Sequence, residues 1–302
     1  MMNDCRILTI QSHVVYGYVG NKSATFPLQL LGFETDVINS VQFSNHTEGY
    51  TTFLGQMLES SDLLQLYNGL NINGIDNYSH LLTGYTRSKS FLLMLVDVCK
   101  KLKKKNPNLI YVCDPVLGDD GRLYVSDELV SVYRDDVITQ ADIITPNQFE
   151  AELLTGMKIT SLKSAKEVML KLHEKGPEVV VISSTSLEFS RGILVALAST
   201  IEDGEFKCLK IEIPYLNANY RGSGDLFSAL LLAWWQRTNF DLKTTLEIVA
   251  STMYVVLKNT LDHYFKYDAF LRRPHSSEIE LKIVQSKKDI EEPKIILKAE
   301  YF

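Results

Sequence analysis

The chain has 302 residues, with 31 Lys+Arg against 37 Asp+Glu and a formal net charge of −6, and its sequence pI is near 5.6. Nucleic-acid binding usually shows as a clustered basic excess and is not expected here; 45% hydrophobic and 23% charged residues are those of a soluble globular protein able to bury a large core. Cys5, Cys99, Cys113 and Cys208 form no CxxC pair, and no apolar run reaches the roughly 18 residues of a membrane span, so neither a zinc ribbon nor a membrane protein is expected.

At the N-terminus, Asn3, Asp4 and Arg6 lead directly into an apolar run, unlike a signal peptide, so a cytosolic location is expected. Residues 7–11 read as the first strand. A loop over 12–21 carries Gly17 and Gly20, and a helix over 24–31 is stopped by Gly32. Residues 35–43 are expected as a strand, 81–83 as a short buried strand before Gly84, and 90–104 as a helix with Phe91, Leu95, Val98 and Leu102 on one face. The lysines between 100 and 105 complement that helix's dipole.

Residues 109–113 form a strand that brings Asp114-Pro115 to its C-terminal end, where open α/β sheets bind ligands, and 143–145 repeat the design before Pro146-Asn147. Helices are expected over 150–154 and 164–173, and a strand over 179–182 ends in Ser183-Ser184. An antiparallel hairpin pairs 193–199 with 207–213 through the turn Glu202-Asp203-Gly204-Glu205. A glycine-bearing loop over 219–225 precedes an apolar helix over 226–235, a further helix covers 244–257, and the charged C-terminal stretch wraps the body. This alternation predicts a mostly parallel sheet covered by helices, and the lack of repeats or linkers predicts one domain over residues 1–302.

The segment Arg221-Gly222-Ser223-Gly224-Asp225, followed at once by an apolar helix, is the most informative. Glycines at 222 and 224 let consecutive N–H groups point outward at a helix N-terminus and receive an anion. A carboxylate beside bound phosphate is repelled unless it has a task, and accepting the proton of a hydroxyl that attacks a γ-phosphoryl group is such a task. The plainer reading is that Asp225 sits in a first helical turn favoured by the dipole. Asp114, Asp119 and Glu150 stand at or just beyond strand ends, and three carboxylates on one rim suggest Mg²⁺ with oxygen ligands and water. Neither a GxxxxGK[ST] loop nor the HRD and DFG elements of protein kinases occurs, and Gly17-Tyr18-Val19-Gly20-Asn21 has the wrong spacing for a nicotinamide fingerprint.

Six segments carry a resemblance: 11–14 (QSHV), 17–21 (GYVGN), 41–47 (VQFSNHT), 82–86 (LTGYT), 112–119 (VCDPVLGD) and 144–152 (ITPNQFEAE), extended by the tail 284–290 (VQSKKDI). Together they resemble the eukaryotic-type pyridoxal kinases of the ribokinase-like superfamily, nearly end to end. The resemblance implies an α/β fold with a central, mostly parallel β-sheet flanked by helices on both faces and no β-sheet lid domain. It implies ATP-dependent phosphorylation of the 5′-hydroxymethyl group of pyridoxal, pyridoxine and pyridoxamine, in the cytosol, by a homodimer.

Residue by residue, the resemblance makes Asp225 the general base and Gly222, Ser223 and Gly224 the anion hole, with Ser223 where the motif usually has threonine. Ser12 and Thr47 match positions on the polar edge of the pyridine ring, and Val19, Val41, Phe43 and Tyr85 match its apolar and aromatic walls. Asp114, Asn147, Gln148, Phe149, Glu150, Ser183, Ser184, Leu216, Asn217, Ala218 and Ser223 match ATP contacts. Asp119 matches a position tied to Mg²⁺ (or Zn²⁺), while Asp114, Glu150, Thr145 and Ser183 match a site for a monovalent cation, K⁺ or Na⁺. Taken singly, Ser12 reads equally as a turn former, Thr47 as a cap, and Phe43 and Tyr85 as core. Two departures stand out: the segment 217–221 departs from the family's mostly apolar pattern, Arg221 most of all, and the loop over 119–124 is shorter than in many relatives, although closure over ATP is still required to exclude water. Two other readings stay open, a hydroxymethylpyrimidine-type kinase of the same superfamily and a non-catalytic B6- or nucleotide-binding protein.

Overall fold

The computed structural model describes residues 5–202, 204–267 and 274–302; Asn3, Asp4 and the turn residue Asp203 lie outside the described residues. In chain order, the first half comprises β1 (Arg6–Val14), α1 (Asn21–Leu30), β2 (Glu34–Phe43), β3 (Gly55–Met57), α2 (Ser60–Ile72), β4 (His80–Thr83), α3 (Lys89–Lys105) and β5 (Ile110–Cys113). A two-residue ribbon, β6 (Gly118–Asp119) with β7 (Arg122–Leu123), and α4 (Glu128–Val132) lead to β8 (Ile143–Ile144), α5 (Gln148–Thr155), α6 (Leu162–His173) and β9 (Val179–Thr185). The hairpin β10 (Ile193–Glu202) and β11 (Glu205–Pro214), then α7 (Ser223–Arg237), α8 (Leu242–Tyr267), α9 (Lys287–Glu291) and β12 (Ala299–Tyr301) follow.

Six strands run parallel in the order β2-β1-β4-β5-β8-β9. Antiparallel strands finish both edges of this sheet, β3 beside β2 and β10, β11 and β12 beyond β9. A strand covered on both faces must be apolar on both, and β9 shows the two-residue period directly. Val180 and Ile182 enter the core shared with α2 to α6, while Val179 and Val181 enter the core shared with α1, α7, α8 and α9. Helix α3 buries Phe91, Leu95, Val98 and Leu102 on the expected face, is capped by Ser88, and carries Lys103, Lys104 and Lys105 in its last turn. Among the described residues, no helix is long and apolar enough to cross a membrane.

The sequence expectation contains no β3, α4, α9 or β12, and three further features differ from it. Helix α2, with Leu63, Leu66, Tyr67 and Leu70 at i, i+3, i+4 and i+7, is absent from the sequence expectation although its period is present; it buries Leu63 and Tyr67. Residues 119–124 are not a plain loop, because Gly118 pairs with Leu123 and Asp119 with Arg122. Helix α7 starts at Ser223, so the last three residues of the expected glycine loop are the first helical turn.

Candidate active site

A cavity of about 320 Å³ opens at the C-terminal ends of the parallel strands. Each strand contributes from its end or from the residues just beyond: Ser12 from β1, Val41 and Phe43 from β2, Tyr85 after β4, Asp114 after β5, Thr145 after β8 and Ser183 and Ser184 from β9. Ser12 sits where the β1–β2 register shifts between Gln11 and His13. Gly20 packs so tightly there that a Cβ would overlap the Ser12 carbonyl and hydroxyl.

The loop before α7 forms the opposite wall. Gly222 is the N-cap with φ 75°, and a Cβ on it would overlap the carbonyl oxygen of Tyr18. Ser23 Oγ donates to the Gly222 carbonyl at 2.9 Å, fixing the loop from α1. Ser223, Gly224 and Asp225 then form the first turn, whose N–H groups have no partner within a helix. Burial pushes the Asp225 pKa above the ordinary value, against a smaller opposing pull from the nearby Gly20 N–H. Asp114 is close by, its Oδ2 3.6 Å from where a Cβ on Gly224 would stand. Burial, then the charges of Glu150 and Asp225, raise the Asp114 pKa well above the usual carboxylate range.

Glu150 lines the cavity and is held there by three backbone amides. Its Oε1 accepts the N–H groups of Leu117 (2.9 Å) and Gly118 (3.3 Å), and its Oε2 accepts that of Asn147 (2.9 Å). Asn147 completes the capping box of α5 and donates Nδ2–H to the Gly118 carbonyl at 2.8 Å. Burial raises the Glu150 pKa to about 8, against the pull of these three amides. The carboxylate thus ties the strand-end loop at 117–118 to the start of α5. Replacing Glu150 with Ala leaves three buried N–H groups without their acceptor, and thermal unfolding is expected to show a loss of about 1–3 kcal/mol or more, against little change if the side chain only contacted ligand.

The third wall is apolar. Val14, Val41 and Phe43, with Val19, Phe53 and Tyr85 against them, form a small cluster separate from both main cores. Phe43 and Phe53 pack with their rings tilted by 52° and their centroids 5.1 Å apart. Ser12, only 7% exposed, and the exposed Thr47 add hydroxyls to this wall. One apolar surface with a few directed polar groups suits a flat heterocycle. The loop bearing Thr47 is held by Glu280, whose carboxylate accepts Tyr18 N–H at 3.1 Å and Tyr50 O–H at 2.9 Å. His46 Nε2 lies 3.2 Å from Glu280, an ion-pair distance outside hydrogen-bond alignment.

The cavity therefore gathers Ser12, Val19, Val41, Phe43, Thr47, Tyr85, Asp114, Asp119, Thr145, Asn147, Glu150, Ser183, Ser184, Gly222, Ser223, Gly224 and Asp225. Gln148, Phe149, Leu216, Asn217 and Ala218 do not line it. Gln148 bonds Glu152 and the Ile159 carbonyl and accepts Ser186 N–H, and Ala218 packs with Tyr264 and Ile279. Sequence reasoning missed Val14, His46, Glu48, Val116, Gly118, Tyr124 and Tyr220 as lining residues; His46 stands inside a quoted segment, next to Thr47, and that adjacency was the available signal. Among the described residues, no group of three His, Cys, Asp or Glu forms a ready-made metal cage. Thr145 Oγ1 is buried, close enough to Asp114 to lower its pKa yet outside hydrogen-bond geometry.

Comparison with known proteins agrees with this geometry. The family model described as phosphomethylpyrimidine kinase matches residues 88–257. The pyridoxal kinase of Ovis aries is 51% identical over 310 residues, covering 99% of each chain, and that of Homo sapiens is 48% identical with the same coverage. The solved structure of pyridoxal kinase from Leishmania donovani in complex with ADP and pyridoxamine superposes with a TM-score of 0.88 at 32% identity, covering 99% of this chain and 100% of that one. Near-complete coverage at about half identity, with the same fold, leads to the conclusion that this chain belongs to the pyridoxal kinase family of the ribokinase-like superfamily.

Proposed function

We propose that this chain transfers the γ-phosphoryl group of ATP to the 5′-hydroxymethyl oxygen of pyridoxal, pyridoxine or pyridoxamine. The observation that carries the reading is one cavity holding both an apolar wall with Ser12 and Thr47 and a helix N-terminus with Asp225 in its first turn. Support also comes from the Leishmania relative, whose structure contains ADP and pyridoxamine.

Val19, Val41, Phe43 and Tyr85 hold the faces of the ring while Ser12 and Thr47 meet its polar edge. Asp225 accepts the proton of the attacking hydroxyl, and the N–H groups of the Gly222-Ser223-Gly224 turn receive charge on the transferred phosphoryl. The nucleotide lies toward Asn147, Ser183 and Ser184. A divalent cation bound with ATP, Mg²⁺ or Zn²⁺, neutralises phosphate charge. Asp114 and Asp119 are the residues to hold it, since a small hard cation takes one or two carboxylates plus phosphates and water. Asp114, Glu150, Thr145 and Ser183 offer oxygens to K⁺ or Na⁺, and the orphaned Thr145 Oγ1 beside a carboxylate crowded by its neighbours fits a cation. Residues 1–302 act as one domain, supported by a sheet that collects strands from Arg6 to Tyr301. The buried thiols Cys99, Cys113 and Cys208 fit the cytosol, and a homodimer follows from the resemblance; sedimentation at assay concentration tests the latter.

The base must be ionised to work, and burial holds its pKa above the ordinary value. Activity should therefore fall as pH drops through that raised pKa, so the acid limb of kcat/KM should lie above the ordinary Asp value of about 4. A pH–rate profile that stays flat down to about pH 4 would contradict the assignment.

The matched family model favours one second reading, phosphorylation of a hydroxymethylpyrimidine. A non-catalytic binding protein would have no need of Asp225 beside the anion turn. Titration with pyridoxal and ATP, followed by assay in Mg²⁺ and K⁺, separates these cases: binding without turnover would select the binding protein.

A further inference from the structure

Arg221 is the one lysine or arginine among the described residues that line the cavity, facing Glu48, Asp114, Asp119, Glu150 and Asp225 on the same walls. Its guanidinium is already engaged at three points. One amino group pairs with the Glu48 carboxylate, Nη1 donates to the Tyr124 hydroxyl at 2.9 Å, and the guanidinium carbon lies 5.8 Å from the centre of the Tyr124 ring. Glu48 belongs to the loop between β2 and β3, beside Thr47; Tyr124 directly follows β7; and Arg221 directly precedes the N-cap of α7. The side chain therefore joins the loop on the ring side of the cavity to the ribbon on its other side. The Arg221 side chain is 24% exposed and that of Glu48 48%, so the pair is partly shielded from water.

We propose that Arg221, Glu48 and Tyr124 form an ionic latch across the cavity, with Arg221 a positioning residue that sets how long the vitamin stays bound. This rests on the B6-kinase reading for the identity of the ligand. A guanidinium is suited to tie down the ribbon over 118–123 because its planar fork reaches a carboxylate and a phenol at once, which a lysine ammonium does less well. With the latch closed, water is kept from the transferred phosphoryl; release of ligand requires the ion pair to open.

The test is a double-mutant cycle on the full chain with Arg221→Gln, Glu48→Gln and both together. Pyridoxal release is followed by stopped-flow fluorescence without nucleotide, and KM and kcat are measured with ATP. Each single change should raise the release rate and the KM for pyridoxal by about fivefold, with the loss on KM rather than kcat, and the double variant should be no worse than either. Tyr124→Phe should give a smaller effect in the same direction. Tetramethylammonium chloride at fixed K⁺ should speed release from the unaltered protein and leave the double variant insensitive. Strictly additive effects would overturn the latch. So would a fall in kcat of tenfold or more in Arg221→Gln with Glu48→Gln silent, which would make Arg221 a phosphate-facing cation instead. The unaltered protein separates the two claims: if it binds pyridoxal without phosphorylating it, the kinase reading fails, while the release rates still decide the latch.

Discussion

Replacing Asp225 with Asn should lower kcat for pyridoxal by about 10²–10⁴-fold while leaving its affinity nearly unchanged. The two parts separate because an Asn amide keeps the size and shape of the carboxylate it replaces. The shape of the turn is kept, and the apolar wall of Val19, Val41, Phe43 and Tyr85 proposed to hold the ring is not touched by the change. What is lost is the capacity to take up a proton as the oxygen attacks. Direct titration of pyridoxal beside single-turnover kinetics reads both quantities. Equal losses of affinity and rate would instead indicate that Asp225 serves mainly to bind.

The second large effect is expected at Gly222. A Cβ there meets two penalties: φ is 75°, a left-handed value that costs a non-glycine residue about 1–2 kcal/mol, and the added atom would overlap the Tyr18 carbonyl. Gly74 isolates the first penalty, since its φ is 67° and a Cβ would meet nothing within 4 Å. Gly74→Ala should lower stability by about the backbone cost alone. Gly222→Ala should lose more, and its KM for ATP should rise because the turn can relieve the overlap only by moving the N–H groups meant for phosphate. Thermal melts of the two variants with nucleotide kinetics of the second check this; equal destabilisation with an unchanged KM for ATP would show that the turn has room to adjust.

The parts of the site legible in the sequence are those in which chemistry and local structure share a short segment. A strand followed by Asp114-Pro115, and glycines 222 and 224 before an apolar helix, announce themselves because strand end, turn and helix start are neighbours in the chain. The ring wall was legible only through the resemblance, since Val41, Phe43 and Tyr85 carry no local mark separating a pocket wall from core. The task of Glu150 was not legible, because two of its amide partners lie 32 and 33 residues away and are brought to it by the packing of α5 against the strand-end loop. The same holds for Arg221, which reads as a departure from a family pattern until the fold brings Glu48 and Tyr124 to it. Helix α2 was legible in principle, since Leu63, Leu66, Tyr67 and Leu70 keep the helical period, even though only two of its thirteen side chains are buried.

The most direct measurement is a competition assay with ATP, Mg²⁺ and K⁺ in which pyridoxal, pyridoxine, pyridoxamine and a hydroxymethylpyrimidine are offered to the protein and each product is identified by mass and by phosphorus NMR. Phosphate on the 5′-oxygen of the B6 compounds, with kcat/KM for pyridoxal well above that for the pyrimidine, is the predicted result. Preferential phosphorylation of the pyrimidine, or none of any compound despite binding, would contradict it.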